Sequence, residues 1–187
     1  MRPKKILLAS GSSRRRELLA RMGLPFEAIR VDVDESASGA PDQAVLELAR
    51  RKALAGAAAA SGLILAADTL VALDGRALGK PQSRADAIAM LKSLRGRTHE
   101  VFTGVCLIDT ESGRQLCRVD VTQVTFWMLN NEEIEAYVDG GEPMDKAGAY
   151  AIQGGAAAFV AAIEGSYTNV VGLPVELLTN MLAEMGM

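Results

Sequence analysis

Several residue types are scarce in this chain, and each scarcity argues against a class of protein. Aromatic residues make up 4% of the 187 residues, so no series of rings is available on which single-stranded nucleic acid could stack. One histidine and two cysteines, without a Cys-x-x-Cys motif, give no support to a zinc site. A formal net charge of −3 gives no general attraction to nucleic acids or anionic membranes. We therefore expect a protein without nucleic-acid or membrane partners.

Long apolar runs are scarce as well. The most apolar stretch, residues 53–67, is mostly alanine and is shorter than the roughly 20 residues of a membrane span. The apolar run before Ser10 is too short for a secretory signal peptide, so we expect a cytoplasmic protein. In a reducing compartment Cys106 and Cys117 are expected to be ordinary free thiols. A hairpin turn at residues 110–113 would nevertheless place the two cysteines opposite each other, where a disulfide can form.

The spacing of apolar residues predicts alternating helices and strands, with an antiparallel section in the middle of the chain. The predicted helices cover about residues 14–22, 43–60, 83–94 and 131–138, and a C-terminal segment from Pro174. The predicted strands cover about residues 5–9, 26–31, 63–67, 98–108, 115–126 and 157–163, with a short hairpin at Asp74-Gly75. This order predicts an α/β fold with a mixed sheet in two lobes that share a cleft, formed as a single domain over residues 1–187.

The first predicted helix begins with unusual charges. A short apolar strand is followed by the serine-rich residues 10–13 and then by the arginines 14–16. Three cations in the first turn oppose the helix macrodipole, whereas a bound anion would make the same arrangement favourable. A solvated basic turn capped by a serine is the alternative, and this feature alone does not decide between the two. The phosphate interpretation assigns anion-binding roles to Ser10, Ser12, Arg14 and Arg15.

Other charged residues lie where predicted elements end. Asp68 and Thr69 directly follow the buried strand at residues 63–67, a position at which open α/β sheets place ligand-binding groups. Lys52 lies on an otherwise apolar helix face, where lysine rarely occurs without a partner. Taken singly, each has a plain structural alternative, such as a turn cap or a solvated loop.

Considered together, the charged residues indicate a kind of chemistry that none of them indicates alone. No P-loop and no Gly-x-Gly-x-x-Gly motif opens a helix, so the common nucleotide-binding folds are disfavoured. His99 is interpreted as a polar residue at the start of a strand. The remaining cations and carboxylates suit phosphoanhydride chemistry, in which positioning and charge stabilisation supply most of the catalysis. They are Arg14, Lys52, Lys80 and Lys146 with Asp34, Glu35 and Asp68.

A series of motifs runs through nearly the whole chain. They are LASGSSRRRELL at 8–19, VDES at 33–36, LARRKA at 48–53, AADTLV at 66–71, LGKP at 78–81, LRGRTHEVFTG at 94–104, EPMDKAGAYAIQG at 142–154 and GSYTNVVGLP at 165–174. In this order they resemble the Maf family of nucleoside triphosphate pyrophosphatases. One departure is visible, because the family's Ser-Pro-Arg-Arg here has Ser13 in place of a proline that suits the first helical turn.

The resemblance implies a Maf-like α/β fold, related to the inosine triphosphate pyrophosphatase architecture, with a deep cleft between two lobes. It implies a homodimer that hydrolyses a nucleoside triphosphate to the monophosphate and pyrophosphate with a divalent metal, Mg²⁺ or Mn²⁺. Asp68 matches the family's proton acceptor. A carboxylate is a weak base toward free water, so proton acceptor and orienter of a metal-held water both stay open for Asp68. Metal and phosphate ligands would come from Glu35, Lys52, Lys80 and Lys146.

Three residues bear on substrate choice. The family branch that prefers dTTP and UTP resembles this chain in Arg14, Thr69 and Gln153. The branch that acts on 7-methyl-GTP carries Ser-Asp-Gln where this chain has Ala-Asp-Thr at 67–69. The Gln153 amide offers both a donor and an acceptor, which match the O4 and N3–H edge of thymine and uracil. The alternatives are a 7-methyl-GTP pyrophosphatase and a non-catalytic nucleotide-binding regulator of septum formation.

Overall fold

Seven strands form one mixed sheet in the computed structural model, which describes residues 5–187. Residues 1–4, the start of the segment considered above as a signal peptide, lie outside the described residues. The strands are β1 (Ile6–Ala9), β2 (Phe26–Ile29), β3 (Leu63–Leu73), β4 (Arg76–Leu78), β5 (Thr98–Asp109), β6 (Gln115–Phe126) and β7 (Val160–Glu164). The helices are α1 (Ser13–Arg21), α2 (Pro41–Ala59), α3 (Arg84–Leu94), α4 (Asn131–Asp139), α5 (Tyr167–Val171) and α6 (Val175–Glu184). Short 3₁₀ turns cover Glu142–Asp145, Ala147–Ala149 and Gly155–Phe159.

The strand order β2-β1-β3-β5-β6-β7 produces two lobes that share the long central strands. Residues 63–65 of β3 pair in parallel with β1, which in turn pairs in parallel with β2. Residues 71–73 at the other end of β3 pair with β4, and residues 123–126 of β6 pair with β7. The long strands β3, β5 and β6 run antiparallel to one another through both lobes, whereas β1, β2 and the start of β3 are parallel. The sheet is therefore mixed, and the predicted two-lobed α/β fold is confirmed.

Helix α2 covers one face of the sheet at unusually close range. Its backbone at Val45 lies so near Gly104 of β5 that any side chain at position 104 would collide with it. Small residues continue the contact, since Ala49 and Ala53 are fully buried against the sheet. The alanine-rich segment noted in the sequence is therefore a tight helix–sheet interface. Gly104 pairs directly with Asp68 of β3, so this close approach also brings α2 over Asp68.

The larger core lies on the opposite face, where leucines of α1, α3 and α6 pack against the sheet. Successive side chains of a strand alternate between faces. In β3, Ile64 and Ala66 lie under α2, whereas Leu65 and Ala67 belong to the larger core. The alternation places Asp68 on the α2 side of the sheet and its neighbour Thr69 on the other side.

The prediction that β3 ends at residue 67 is wrong. The strand continues to Leu73, so Asp68 and Thr69 lie in its middle and pair with Gly104 and Thr103. The physical reason is the apolar run at residues 70–73, which keeps the chain in the sheet, where residues 71–73 are buried. The predicted hairpin does follow, with positive φ angles at Asp74 and Gly75 between β3 and β4.

Other element boundaries differ by a few residues or more. Helix α2 begins earlier than predicted, with Pro41 in its first turn. Of the strand predicted at residues 157–163, the first part is a 3₁₀ turn and only β7 is extended. Helix α5 was not predicted at all, because its β-branched sequence is typical of strands, yet Ser166 caps it by accepting the backbone N–H of Asn169.

The prediction of free thiols is also wrong, since Cys106 and Cys117 form a disulfide in the structure. The two residues are direct partners in the β5–β6 register, with Cα atoms 4.1 Å apart. The strand pairing brings the two sulfur atoms together, as the hairpin alternative required. Within residues 5–187, no helix combines the length and apolar character needed to cross a membrane.

Candidate active site

A cleft of about 460 Å³ opens at the middle of β3, where the two lobes meet. This volume falls within the usual range of ligand sites. The cleft brings together most of the residues that the sequence singled out, although they come from widely separated segments. The predicted residues that line it are Ser12, Arg14, Arg15, Glu35, Lys52, Asp68, Thr69, Lys80, Lys146 and Gln153. Ser10 is buried behind the wall, and its hydroxyl accepts from Arg15 Nη1 at 3.2 Å and from the Ser12 backbone N–H at 3.3 Å.

Arg15 is fixed at the base of α1 by three separate acceptors. Its Nη1 donates to Ser10 Oγ at 3.2 Å, its Nη2 to Thr69 Oγ1 at 3.0 Å, and its Nε to the Gly172 carbonyl at 2.8 Å. Burial lowers the pKa of Arg15, and Asp68 opposes that shift. A guanidinium group stays charged at neutral pH even so, and two of its five N–H groups remain for a ligand. Ser12 caps the helix by accepting the Arg15 backbone N–H at 3.4 Å.

A buried polar network stands behind Arg15 and was missed by the sequence analysis. The hydroxyls of Thr69 and Thr103 are 2.9 Å apart, and Thr103 donates to the Asn169 carbonyl at 3.1 Å. The fully buried Asn169 amide donates in turn to the Val101 carbonyl at 3.0 Å and to Thr122 Oγ1 at 2.9 Å. This network holds α5, and with it the Gly172 carbonyl, in place. The sequence signal was weak, an asparagine between Thr168 and Val170 in a short segment without a periodic pattern.

Lys52 joins two carboxylates on the α2 side of the cleft. Its Nζ lies 2.7 Å from Asp68 Oδ1 and 2.8 Å from Glu35 Oε1. The Lys52 and Asp68 side chains are 12% and 15% exposed, so the pair is largely shielded from water, whereas Glu35 is 62% exposed. The hydrogen bond from Lys52 holds the pKa of Glu35 below its usual range. Lys52 thus has the partners that its position predicted.

Asp34, the third carboxylate of the predicted set, does not join this group. Its two oxygens accept the backbone N–H and the hydroxyl of Ser36 at 2.9 Å and 2.7 Å. Asp34 therefore shapes its own loop. Lys52 therefore contacts two of the three predicted carboxylates, Glu35 and Asp68. Among residues 5–187, no three His, Cys, Asp or Glu side chains come together as a group that could hold a metal ion.

Two loops that are tied together bring Lys80, Lys146 and Gln153 to the cleft. The Gly148 N–H donates to the Gly79 carbonyl at 3.1 Å, and Gly148 lies so close to Val71 that a side chain there would press on it. The backbone turns sharply at this point through positive φ angles at Gly148 and Ala149. Lys146 precedes this turn and pairs with Asp145, and the segment with Gln153 follows it. Both Lys146 and Gln153 line the cleft.

His99 lies behind the cleft and not in it. It is 2% exposed, and its Nε2 is 2.8 Å from the hydroxyl of Tyr150, a residue that lines the cleft. The ring also contacts Phe126 edge-on, with centroids 4.9 Å apart. Burial lowers the pKa of His99 to about 4, so the ring is neutral at pH 7. The structure therefore gives His99 a packing role under Tyr150.

The buried histidine makes stability depend on pH in a defined window. In the unfolded chain His99 takes up a proton below about pH 6.5, whereas in the folded protein it does so only near pH 4. Acid therefore favours unfolding, and we expect His99 to lower stability progressively between these values, by about 2 kcal/mol at pH 5. Urea unfolding of wild type and His99→Phe at pH 7 and pH 5 measures this difference. An identical pH dependence in both proteins would contradict the expectation.

Comparison with known proteins identifies the family. The model described as "Maf-like protein" matches residues 5–185. The chain belongs to the Maf family. A protein of Desulforamulus reducens named dTTP/UTP pyrophosphatase is 48% identical over 189 residues, which cover 100% of this chain and 98% of that protein. A protein of the same name from Carboxydothermus hydrogenoformans is 51% identical and covers 97% of this chain and 99% of its own.

A solved structure supports the fold assignment. A HAM1 protein from Coxiella burnetii superposes with a TM-score of 0.56 at 20% identity, covering 96% of this chain and 98% of that one. At this identity the likeness concerns the fold alone. The resemblance to the Maf family and the predicted Maf-like architecture are thus both confirmed.

Proposed function

We propose that this protein is a nucleoside triphosphate pyrophosphatase that hydrolyses dTTP and UTP to the monophosphate and pyrophosphate. The observation that carries the proposal is that one cleft is lined both by the Asp68–Lys52–Glu35 group and by Lys80 and Lys146. The names of the family relatives support the same reaction and the same substrates.

The triphosphate would be held by the cations that line the cleft. Arg15 is fixed in advance, so it binds an anion without first losing side-chain freedom. The free N–H groups in the first turn of α1 add the anion preference of a helix N-terminus. Arg14, Lys80 and Lys146 would contact the outer phosphates. A bound substrate anion would also compensate the repulsion between the arginines of the first turn and the positive end of the α1 macrodipole.

The carboxylates fit a divalent metal, Mg²⁺ or Mn²⁺, provided that the substrate completes its coordination. Asp68 and Glu35 lie close enough to share Lys52, and Mg²⁺ is commonly held by one or two carboxylates plus substrate phosphates. Such an ion would lower the pKa of bound water and neutralise phosphate charge. Asp68, on the sheet, would orient the attacking water and accept its proton.

Gln153 would read the base. It lines the cleft, and its exposed side chain can offer a donor and an acceptor to the O4 and N3–H edge of uracil or thymine. Cytosine reverses the donor and acceptor at position 4, which would leave a mismatched amide at a cost of about 1–3 kcal/mol. Thr69, whose hydroxyl bonds to Arg15, would act on the substrate by holding that arginine.

Purified protein with Mg²⁺ and a panel of nucleotides tests the substrate assignment. We expect dTTP and UTP to be hydrolysed well above CTP and 7-methyl-GTP, by about 5- to 150-fold for CTP. In Gln153→Ala only the contact with the base is lost. The ratio of turnover between UTP and CTP should therefore fall by a larger factor than the turnover of UTP itself. Equal turnover of UTP and 7-methyl-GTP by the wild type would overturn the substrate assignment, and binding without turnover would favour the regulator.

The remaining expectations rest on the family resemblance and the sequence. We propose that the chain forms one domain over residues 1–187, assembles as a homodimer and works in the cytoplasm on a nucleotide, without nucleic-acid or membrane partners.

A further inference from the structure

The backbone on both sides of Gln153 is tied to two side chains that lie outside the cleft. Gln153 occupies a tight turn closed by a bond from the Gly154 N–H to the Ala151 carbonyl at 3.1 Å. The Ala151 N–H donates to the Tyr137 hydroxyl at 3.0 Å, and the Gly155 N–H donates to Glu142 Oε2 at 3.1 Å. The two ends of the turn are therefore held by α4 and by the 3₁₀ turn after it.

Tyr137 and Glu142 also hold each other. The Tyr137 hydroxyl donates to Glu142 Oε1 at 3.3 Å, so one hydroxyl and one carboxylate link both ends of the turn. Phe159 packs against the Tyr137 ring at 75°, with centroids 5.1 Å apart, which limits rotation of the ring. Glu142 lies so near Gly154 that a side chain at position 154 would collide with its carboxylate. The glycine next to Gln153 is thus needed for the carboxylate to reach the turn.

We propose that Tyr137 and Glu142 are positioning residues that set the pyrimidine selectivity of the enzyme by fixing Gln153. The inference rests on the proposed function, in which the Gln153 amide reads the base. Neither side chain lines the cleft, so neither touches the nucleotide. Discrimination between uracil and cytosine requires the amide to meet one edge of the base in a fixed orientation, since hydrogen bonds weaken steeply with angle. Tying both ends of the turn supplies that orientation.

Tyr137→Phe isolates the hydroxyl because it keeps the packed ring. The Ala151 N–H and the Glu142 carboxylate each lose a partner, and Gln153 gains freedom. We expect the ratio of kcat/KM for UTP to that for CTP to fall about 3- to 10-fold, mainly through UTP. Inhibition by inorganic pyrophosphate should be unchanged, since it depends on the phosphate-binding residues. Tyr167→Phe, at an exposed tyrosine, serves as the matched control and should leave the ratio unchanged.

Two further comparisons separate positioning from general support of the fold. Glu142→Gln keeps an oxygen for the Gly155 N–H and places an NH₂ group opposite the Tyr137 hydroxyl, so it should retain most of the selectivity. Glu142→Ala removes both contacts and should lose selectivity as Tyr137→Phe does. In a Gln153→Ala background, Tyr137→Phe should have no further effect on the ratio, because the group that it positions is gone.

The outcomes distinguish this inference from the function on which it rests. A wild-type preference for UTP that Tyr137→Phe and Glu142→Ala leave intact, with both substrates slowed equally, would overturn the positioning role alone. A further loss of selectivity from Tyr137→Phe in the Gln153→Ala background would also overturn it. A wild type without preference for UTP over CTP would overturn both the proposed substrates and this inference.

Discussion

Replacement of Asp68 by asparagine is expected to lower the turnover of UTP by about two to four orders of magnitude. The amide has the shape of the carboxylate, but it carries no charge with which to hold a metal or accept a proton from water. Asp68 lies at the middle of β3, 15% exposed, and Lys52 contacts it at 2.7 Å. Nucleotide binding should survive and can tighten, because repulsion between the carboxylate and the triphosphate is relieved.

The measurement compares kcat with the affinity for a non-hydrolysable UTP analogue in both proteins. Asp74→Asn is the matched control, since Asp74 follows the same strand, is 67% exposed at its side chain and pairs with Arg97 away from the cleft. That control should keep wild-type turnover. If Asp68→Asn retains more than about a tenth of the wild-type turnover, Asp68 is not the central catalytic group.

Arg15→Lys should weaken both catalysis and the fold, although it conserves the charge. The three acceptors of Arg15 diverge, and a lysine ammonium cannot reach Ser10, Thr69 and the Gly172 carbonyl together. The Gly172 carbonyl would be left without its donor, whereas Ser10 and Thr69 keep their bonds to the Ser12 N–H and to Thr103, so the free energy of unfolding should fall by about 1–3 kcal/mol. We expect kcat/KM for UTP to fall about 10- to 100-fold, because the phosphate site loses its fixed geometry.

Arg16→Lys provides the comparison, since Arg16 is the next residue of the same helix and is exposed. It should change the free energy of unfolding, measured in urea, by less than about 0.5 kcal/mol, and should leave kcat/KM unchanged. Equal effects at the two positions would show that the contacts of Arg15 carry no special weight.

The sequence predicted which residues line the cleft better than it predicted their contacts. The unusual charges at the start of α1 and the lysine on the apolar face of α2 pointed to Arg15 and Lys52, and both line the cleft. A charged residue at an unfavourable position can be recognised from a short stretch of sequence, because the macrodipole and the apolar face are properties of a single helix. Asp68 was predicted for an incorrect reason, since it lies within β3 and not after it.

The partners of these residues could not be predicted in the same way. Arg15 bonds to a carbonyl 157 residues away, and Tyr137 bonds to a backbone N–H across a loop that has no periodic pattern. Such contacts depend on how whole elements pack, which local patterns do not encode. The disulfide shows the opposite case. The hairpin register placed Cys106 opposite Cys117 correctly, and the bond between them in the structure differs from the free thiols that the compartment argument predicted.

Hydrolysis of UTP in ¹⁸O-labelled water with Mg²⁺, followed by mass spectrometry of the products, tests the central claim most directly. If Asp68 and its neighbours direct water to the α-phosphorus, the label enters UMP and the released pyrophosphate is unlabelled. Label in pyrophosphate, or release of orthophosphate as the primary product, would show attack at another phosphorus and contradict the account.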